Sequence, residues 1–355
     1  MDIRLVRLRQ IMEKRELDGI MVYKPENIRW LSDFKGDSSV IIVAKNEQYF
    51  ITDSRYTEEA EKEIPSDFTI IEIRPEIRKS QYAEIYSKNG IKRMGIEGNY
   101  LTVSEFESMK KDYPLDYVFV DSEFDGLRIV KSDAEIEKMK KAAKLTEDCY
   151  YNLLKYIKAG VTENDILAEM VYFFNKAGAG CSFDPIIASG PNSSMPHAKV
   201  TDRVLQPGDL LTMDFGCKLD GYCADFTRTI AISGIESDMR IVYNTVKNAQ
   251  RTAMDALKPG LGGKEADKIA RDLIYSAGYE GLFGHSLGHG VGLEIHEFPR
   301  LSMFSSDVLA PNMAVTVEPG IYIPGKGGVR IEDTVIITET GMESLYTADT
   351  ELVII

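Results

Sequence analysis

The chain has 355 residues, 44% of them apolar, with a formal charge of -14 and a sequence pI near 4.9. That balance excludes the basic footprint of a nucleic-acid binder and points to small-molecule partners. No run approaches the roughly eighteen consecutive apolar residues of a membrane span, and the charged N-terminal MDIRLVRLRQIMEKRELDG lacks a signal-peptide core, so a cytoplasmic protein without membrane contact is expected.

At about 150 residues per domain, the length predicts two or three domains. Ile3, Leu5, Leu8, Ile11 and Met12 form an amphipathic helical stripe. Strands are expected at 19–23, 38–43, 48–52, 68–73, 94–96 and 117–120, and further helices at 56–63, 82–88 and 103–110. Residues 1–121 thus make a small α/β domain, with neither histidine nor cysteine and no visible chemistry. DSEFDGLRIVK, 121–131, breaks the periodicity around Gly126, so a linker is expected at 122–131. Ser132 and Glu135 then form a capping box ahead of a long helix that opens a second domain, 132–355. The four cysteines, Cys149, Cys181, Cys217 and Cys223, have neither the density of a disulfide framework nor CxxC spacing, and are expected reduced and buried.

The second domain repeats itself. Lys158-Ala-Gly-Val161, followed by a helix ending in Ala177-Gly178, recurs one hundred residues on as Lys258-Pro-Gly-Leu261, followed by a helix ending in Ala277-Gly278. VLQPGDLLTMDFG from Val204 matches VLAPNMAVTVEPG from Val308, which sets Asp214 on Glu318. The period is too long for a solenoid, so two similar halves are expected to pack as one α+β domain with an internal pseudo-twofold repeat, each giving an acidic strand to a shared centre.

In DLLTMDFGCKLDGYCADFTRT, 209–229, Asp220-Gly221 is a type I′ hairpin signal. With that turn, residues whose numbers sum to 441 face each other, and Asp214 and Asp225 share a face; a turn one residue earlier leaves them on one face too. Two like charges so placed repel unless a hard cation lies between them, whereas the plainer alternative is a solvated hairpin with two surface aspartates. All four histidines lie in this domain: His197 in SGPNSSMPHA, and His285, His289 and His296 in the glycine-rich GHSLGHGVGLEIHE. Three histidines within twelve residues of such a loop point to a site.

DFGCKLDGYCADFTRT, GHGVGLEIHE, VEPGIY and GGVRIEDT resemble the motifs of the pita-bread metallopeptidases, specifically the proline peptidase branch, and residues 1–121 fit the creatinase-type N-terminal domain of that branch. The resemblance implies a dinuclear site on Asp214, Asp225, His289, Glu318 and Glu332, with two divalent ions per chain. The oxygen-rich set suits Mn(II), with Co(II) or Zn(II) as alternatives. It further implies Glu318 as acid/base, His197 and His296 as substrate-binding and oxyanion-stabilising groups, and Arg330 orienting carboxylates beside the substrate. Thr227 and Tyr322 would support the ligands, His285 would either do the same or contact the substrate directly, and Cys223 is read as a buried small neighbour. Short proline-containing peptides are the implied substrates and a homodimer the implied assembly. Arg300, four residues after His296, matches the arginine that prolidase-like members use to hold the carboxylate of the C-terminal proline. This favours an Xaa-Pro dipeptidase over an Xaa-Pro aminopeptidase acting on longer peptides. Non-catalytic interaction modules on this fold would be expected to lose ligand carboxylates or histidines, and here all five positions are filled.

Overall fold

The computed structural model describes residues 2–355, which divide into two compact units, one reaching to Arg128 and the other Ile129–Ile355. The first unit is built on a six-stranded sheet in the order Thr69–Glu72, Gln48–Thr52, Ser39–Ala44, Gly19–Val22, Arg93–Ile96, Asp116–Phe119. The three strands of the middle hairpin series pair antiparallel and the outer neighbours pair parallel. Every residue of Gly19–Val22 and Gln48–Thr52 is buried, as expected of strands covered on both faces.

Two elements of this unit escape the sequence reading. Pro25–Ser32 is a helix with proline in its first turn, burying Ile28, Trp30 and Leu31. The expected linker at 122–131 is mostly helix as well: Asp121–Ile129 buries Phe124 and Arg128, four residues apart, and leaves Gly126 exposed on the opposite face. The glycine costs about 1 kcal/mol of helix propensity but is outweighed by that buried stripe. The division between units therefore falls at 128/129 and not at 121/122.

In the second unit the capping box of Ser132 and Glu135 opens the helix Asp133–Tyr156. The internal repeat is visible down to hydrogen bonds. Gly160 N donates to Leu205 O (3.0 Å) and Leu205 N to Val161 O (2.8 Å); Gly260 N donates to Leu309 O (2.8 Å) and Leu309 N to Leu261 O (2.9 Å). Gly160 and Gly260 adopt φ of 93° and 88°, a conformation that favours glycine. Each half then has a helix, Glu163–Lys176 or Gly263–Ser276, and its own core, the first around Phe174, Phe215 and Phe226, the second around Ile274, Phe283 and Val335. The acidic strands run through the middle. Leu210–Phe215 lies between Ile186–Ser189 and Phe226–Ala231, Ala314–Val317 lies between Gly288–Gly290 and Asp333–Ile337, and a bridge from Thr227 to Glu332 joins the two sheets.

The hairpin register is the one set by a turn at Asp220-Gly221, whose φ values are 49° and 82°. Leu219 pairs with Tyr222, Phe215 with Phe226 and Asp214 with Thr227. At Gly216 a Cβ would stand 1.8 Å from Ala224 O, so only glycine lets the two strands approach where the hairpin passes from one sheet to the next.

Candidate active site

The five residues expected as ligands all sit at or beside strand ends where the two halves meet. Asp214 lies in Leu210–Phe215, Asp225 immediately before Phe226–Ala231, His289 in Gly288–Gly290, Glu318 after Ala314–Val317 and Glu332 before Asp333–Ile337. Asp214, Asp225 and Glu332 are buried, and one oxygen from each lies within 4.8 Å of the others. His289 joins them, with Nε2 3.6 Å from Asp225 Oδ2 and 3.3 Å from Glu318 Oε1. Its Nδ1 faces Gly290 O at 3.0 Å and donates to it, which turns Nε2 toward the carboxylates. An imidazole lone pair and a carboxylate at that separation need a proton or a cation between them.

The remaining hydrogen bonds point the same way. Asp214 Oδ2 accepts from Arg330 Nη2 (2.5 Å) and Glu332 Oε2 from Thr227 Oγ1 (2.6 Å), while Asp214 Oδ1 and Glu332 Oε1 are buried with no hydrogen-bond partner among the described residues. A buried carboxylate oxygen left so costs roughly 1–3 kcal/mol or more, and a divalent cation is the group that such a donor set accommodates. Burial, reinforced by the neighbouring carboxylates, holds Asp225 and Glu332 well above the ordinary carboxylate range. Burial raises Asp214 too, against the pull of Arg330. Glu318 goes the other way: burial would raise it, but the His289 hydrogen bond and charge outweigh that and bring it down to about 2. Burial lowers His289, yet Glu318 and Asp225 leave it raised. The four carboxyls thus have few cations to share, and the donor set fits a divalent ion, which would supply the missing positive charge.

Behind the cluster runs a chain of polar contacts. Arg330 Nη1 donates to Tyr322 Oη (2.7 Å) and to Pro196 O (3.2 Å). Tyr322 Oη donates in turn to His285 Nε2 (2.8 Å), because His285 Nδ1 is committed to Ser286 O (2.9 Å) and burial keeps this histidine below its usual value, hence neutral. Thr227 and Tyr322 therefore brace the site from behind.

In front lies a cavity of about 770 Å³. The four carboxylates, His197, His285, His289, His296, Arg300 and Arg330 line it, with an apolar wall that includes Phe183, Pro185, Ile186 and Ile295. The His296 ring meets His289 edge-on at 4.4 Å, and burial, then His289 and Arg300, bring it down to about 4, so it is neutral at neutral pH. Arg300 is the strand partner of His289; its backbone N–H donates to Asp307 Oδ2 (2.7 Å) and its guanidinium lies 5.8 Å from the Phe298 ring. Cys223 is buried, with its thiol donating to Leu293 O (3.7 Å).

Three residues of this arrangement escape the sequence reading. Thr316 Oγ1 accepts from His289 N (3.0 Å) and donates to Glu318 Oε1 (3.2 Å). Thr334 Oγ1 and Tyr346 Oη donate to Asp225 O at 3.0 and 2.7 Å. Thr316 carried a signal, since the repeat aligns it with Thr212; Tyr346 carried none.

Residues 137–339 match metallopeptidase family M24, and residues 4–130 match the creatinase/prolidase N-terminal domain. The chain is 37% identical to the Xaa-Pro dipeptidase of Pyrococcus furiosus over 98% of its own length and 99% of that protein's. Among solved structures it is similar to the Xaa-Pro dipeptidase from Bacillus anthracis, with a TM-score of 0.96 and 39% identity over 99% of both chains. It is also similar to X-Pro aminopeptidase from Thermotoga maritima, with a TM-score of 0.91 and 36% identity over 97% of this chain and 100% of that one. With its cluster of buried carboxylates in the matched region and likeness to these proteins along nearly its whole length, the chain belongs to metallopeptidase family M24 and carries the creatinase/prolidase N-terminal domain.

Proposed function

We propose that this metallopeptidase hydrolyses the bond preceding proline and prefers Xaa-Pro dipeptides. The observation that carries the proposal is the placement of Arg300 on the wall of the same cavity as the acidic cluster and the four histidines. Asp214, Asp225, His289, Glu318 and Glu332 would hold two divalent ions, the four carboxylates balancing their charge, and this oxygen-rich set suits Mn(II), with Co(II) or Zn(II) also accepted. When bound, such ions lower the pKa of a water molecule and polarise the scissile carbonyl.

The chain's own groups do the rest. Glu318 takes the proton of the attacking water at its carboxylate and passes it to the leaving proline nitrogen. His197 and His296 donate N–H to the carbonyl oxygen as it gains charge, a contribution of roughly 2.7–4 kcal/mol per donor in comparable sites. Arg300 pairs with the carboxylate of the C-terminal proline, which a dipeptide presents at a fixed distance beyond the scissile bond. Arg330 keeps Asp214 oriented. A homodimer and a cytoplasmic location belong to the same proposal; among the described residues no helix is long and apolar enough to cross a membrane.

The likeness to the Thermotoga aminopeptidase favours a second reading, removal of the N-terminal residue from longer Xaa-Pro peptides. Comparing kcat/KM for Ala-Pro and Ala-Pro-Ala with the metal-loaded protein separates them. A clear preference for the dipeptide is expected; preference for the tripeptide assigns the aminopeptidase activity instead.

A further inference from the structure

We propose that Glu163 is the positioning residue for His197, tying together both arms of the loop that carries it; the inference rests on the catalytic reading above. His197 is exposed in the segment between Ser189 and Arg203, which is rich in turn formers and whose ordering costs conformational entropy. Glu163 stands at the start of the helix Glu163–Lys176, a position where a carboxylate usually faces solvent, yet it is 0% exposed. Its Oε1 accepts from Ser189 N (2.7 Å), Ser189 Oγ (2.7 Å) and Asn192 Nδ2 (3.1 Å). Its Oε2 accepts from Thr201 N (3.0 Å) and Thr201 Oγ1 (2.6 Å). One carboxylate therefore ties together the outgoing and returning arms of the loop, with His197 between them.

The surrounding contacts close the loop at its base. Glu163 N donates to Arg203 O (3.1 Å), and Arg203 reaches Asp209 (2.6 and 2.9 Å) and Ser189 Oγ (2.7 Å). At Gly190, with φ of 49°, a Cβ would meet Asp209 Oδ1 at 2.4 Å, so the turn that starts the loop favours glycine. On the cavity side Arg330 Nη1 holds Pro196 O (3.2 Å). The second half of the repeat uses the same device. Asp267, also 0% exposed and on the corresponding helix, accepts from Leu287 N (3.0 Å), while its ion-pair partner Arg271 donates to Phe283 O and His285 O (both 2.8 Å). Each half seats its histidine-bearing loop on a buried carboxylate of its second helix.

Glu163→Gln turns an amide N–H₂ toward groups that are themselves donors, so at least one arm of the loop is released. A shift of about 1 Å in a group that contacts the reacting atoms can cost on the order of a hundredfold in rate. The test is a double-mutant cycle with His197→Ala on the metal-loaded protein, together with hydrogen exchange of residues 190–201. We expect Glu163→Gln to lower kcat about tenfold or more in the wild-type background and less than about twofold in the His197→Ala background, with bound metal unchanged and exchange accelerated in that loop. Equal losses in both backgrounds, or loss of metal, would overturn the proposal. Should Glu163→Gln not fold, Thr201→Val, which removes the hydroxyl's hydrogen bond to Glu163, carries the same cycle and the same exchange measurement. Unaltered exchange at 190–201 sinks the positioning role whatever the substrate, whereas a wild type inactive on every Xaa-Pro peptide sinks the catalytic reading alone.

Discussion

Arg330 Nη2 donates to Asp214 Oδ2 at 2.5 Å, and the other oxygen of Asp214 is left buried and without a hydrogen-bond partner among the described residues. One guanidinium thus sets the orientation of a carboxylate, braces Tyr322 and holds the carbonyl beside His197. Lysine keeps the charge but not the planar fork that reaches these partners together. Arg330→Lys is expected to weaken divalent-metal affinity about 10–100-fold, the usual effect of removing a group that orients a ligand. Calorimetric titration with Mn(II) checks this, and unchanged affinity would show that Asp214 keeps its orientation unaided.

Metal binding should be coupled to proton release. Burial, then neighbouring negative charge, holds Asp225 and Glu332 well above their ordinary values, so the metal-free folded protein keeps protons there that the unfolded chain loses. The folded state binding more protons means that these groups stabilise the metal-free protein below the ordinary carboxylate range, and that this stability is lost as pH rises through the elevated values. Divalent ions need the deprotonated carboxylates, so their affinity should rise over the same interval. As pH rises above the ordinary carboxylate range, the contribution of these two groups to the melting temperature of the metal-free protein is expected to fall while the increment on adding Mn(II) grows. A metal increment independent of pH would contradict the coupling.

Removing single ligands should separate metal retention from turnover. Asp214→Ala, Asp225→Ala and Glu332→Ala each delete a cluster oxygen and should leave fewer than two ions per chain by elemental analysis. Glu318→Gln keeps an oxygen in place but not a proton acceptor, so it should retain metal and lose turnover by about 10²–10⁴-fold. Full hydrolysis by chelated, metal-free protein would refute the metal requirement.

The proposed role of Arg300 is to choose between dipeptides and longer peptides. Truncating one partner of a hydrogen-bonded charge pair typically costs about 2–5 kcal/mol, so Arg300→Ala should cut kcat/KM for Ala-Pro by more than tenfold and affect Ala-Pro-Ala much less. Equal kcat/KM values in mutant and wild type for both peptides would place this arginine outside substrate binding.

Local rules carried a large part of this protein. The Asp220-Gly221 turn determines the register that pairs Phe215 with Phe226, because a type I′ turn admits few residue pairs and the ladder then counts outward by residue number. The capping box at Ser132 and the glycines at 160 and 260 likewise act within a few residues, and the repeat placed Glu318 beside Asp214 by alignment alone. What the chain in one dimension did not disclose is set by contacts across long separations. Asp121–Ile129 is a helix because Phe124 and Arg128 find a buried surface, against the exposed glycine between them. Tyr346 reaches the Asp225 backbone across 121 positions, and Thr227 reaches Glu332 across 105. Which oxygen of Asp214 is left for a cation depends on Arg330, 116 residues away, and the work of Glu163 depends on Ser189 and Thr201 folding back over it. Residue types and spacing can nominate the members of a site, but orientation and partner are decided only when packing brings distant segments within hydrogen-bond reach.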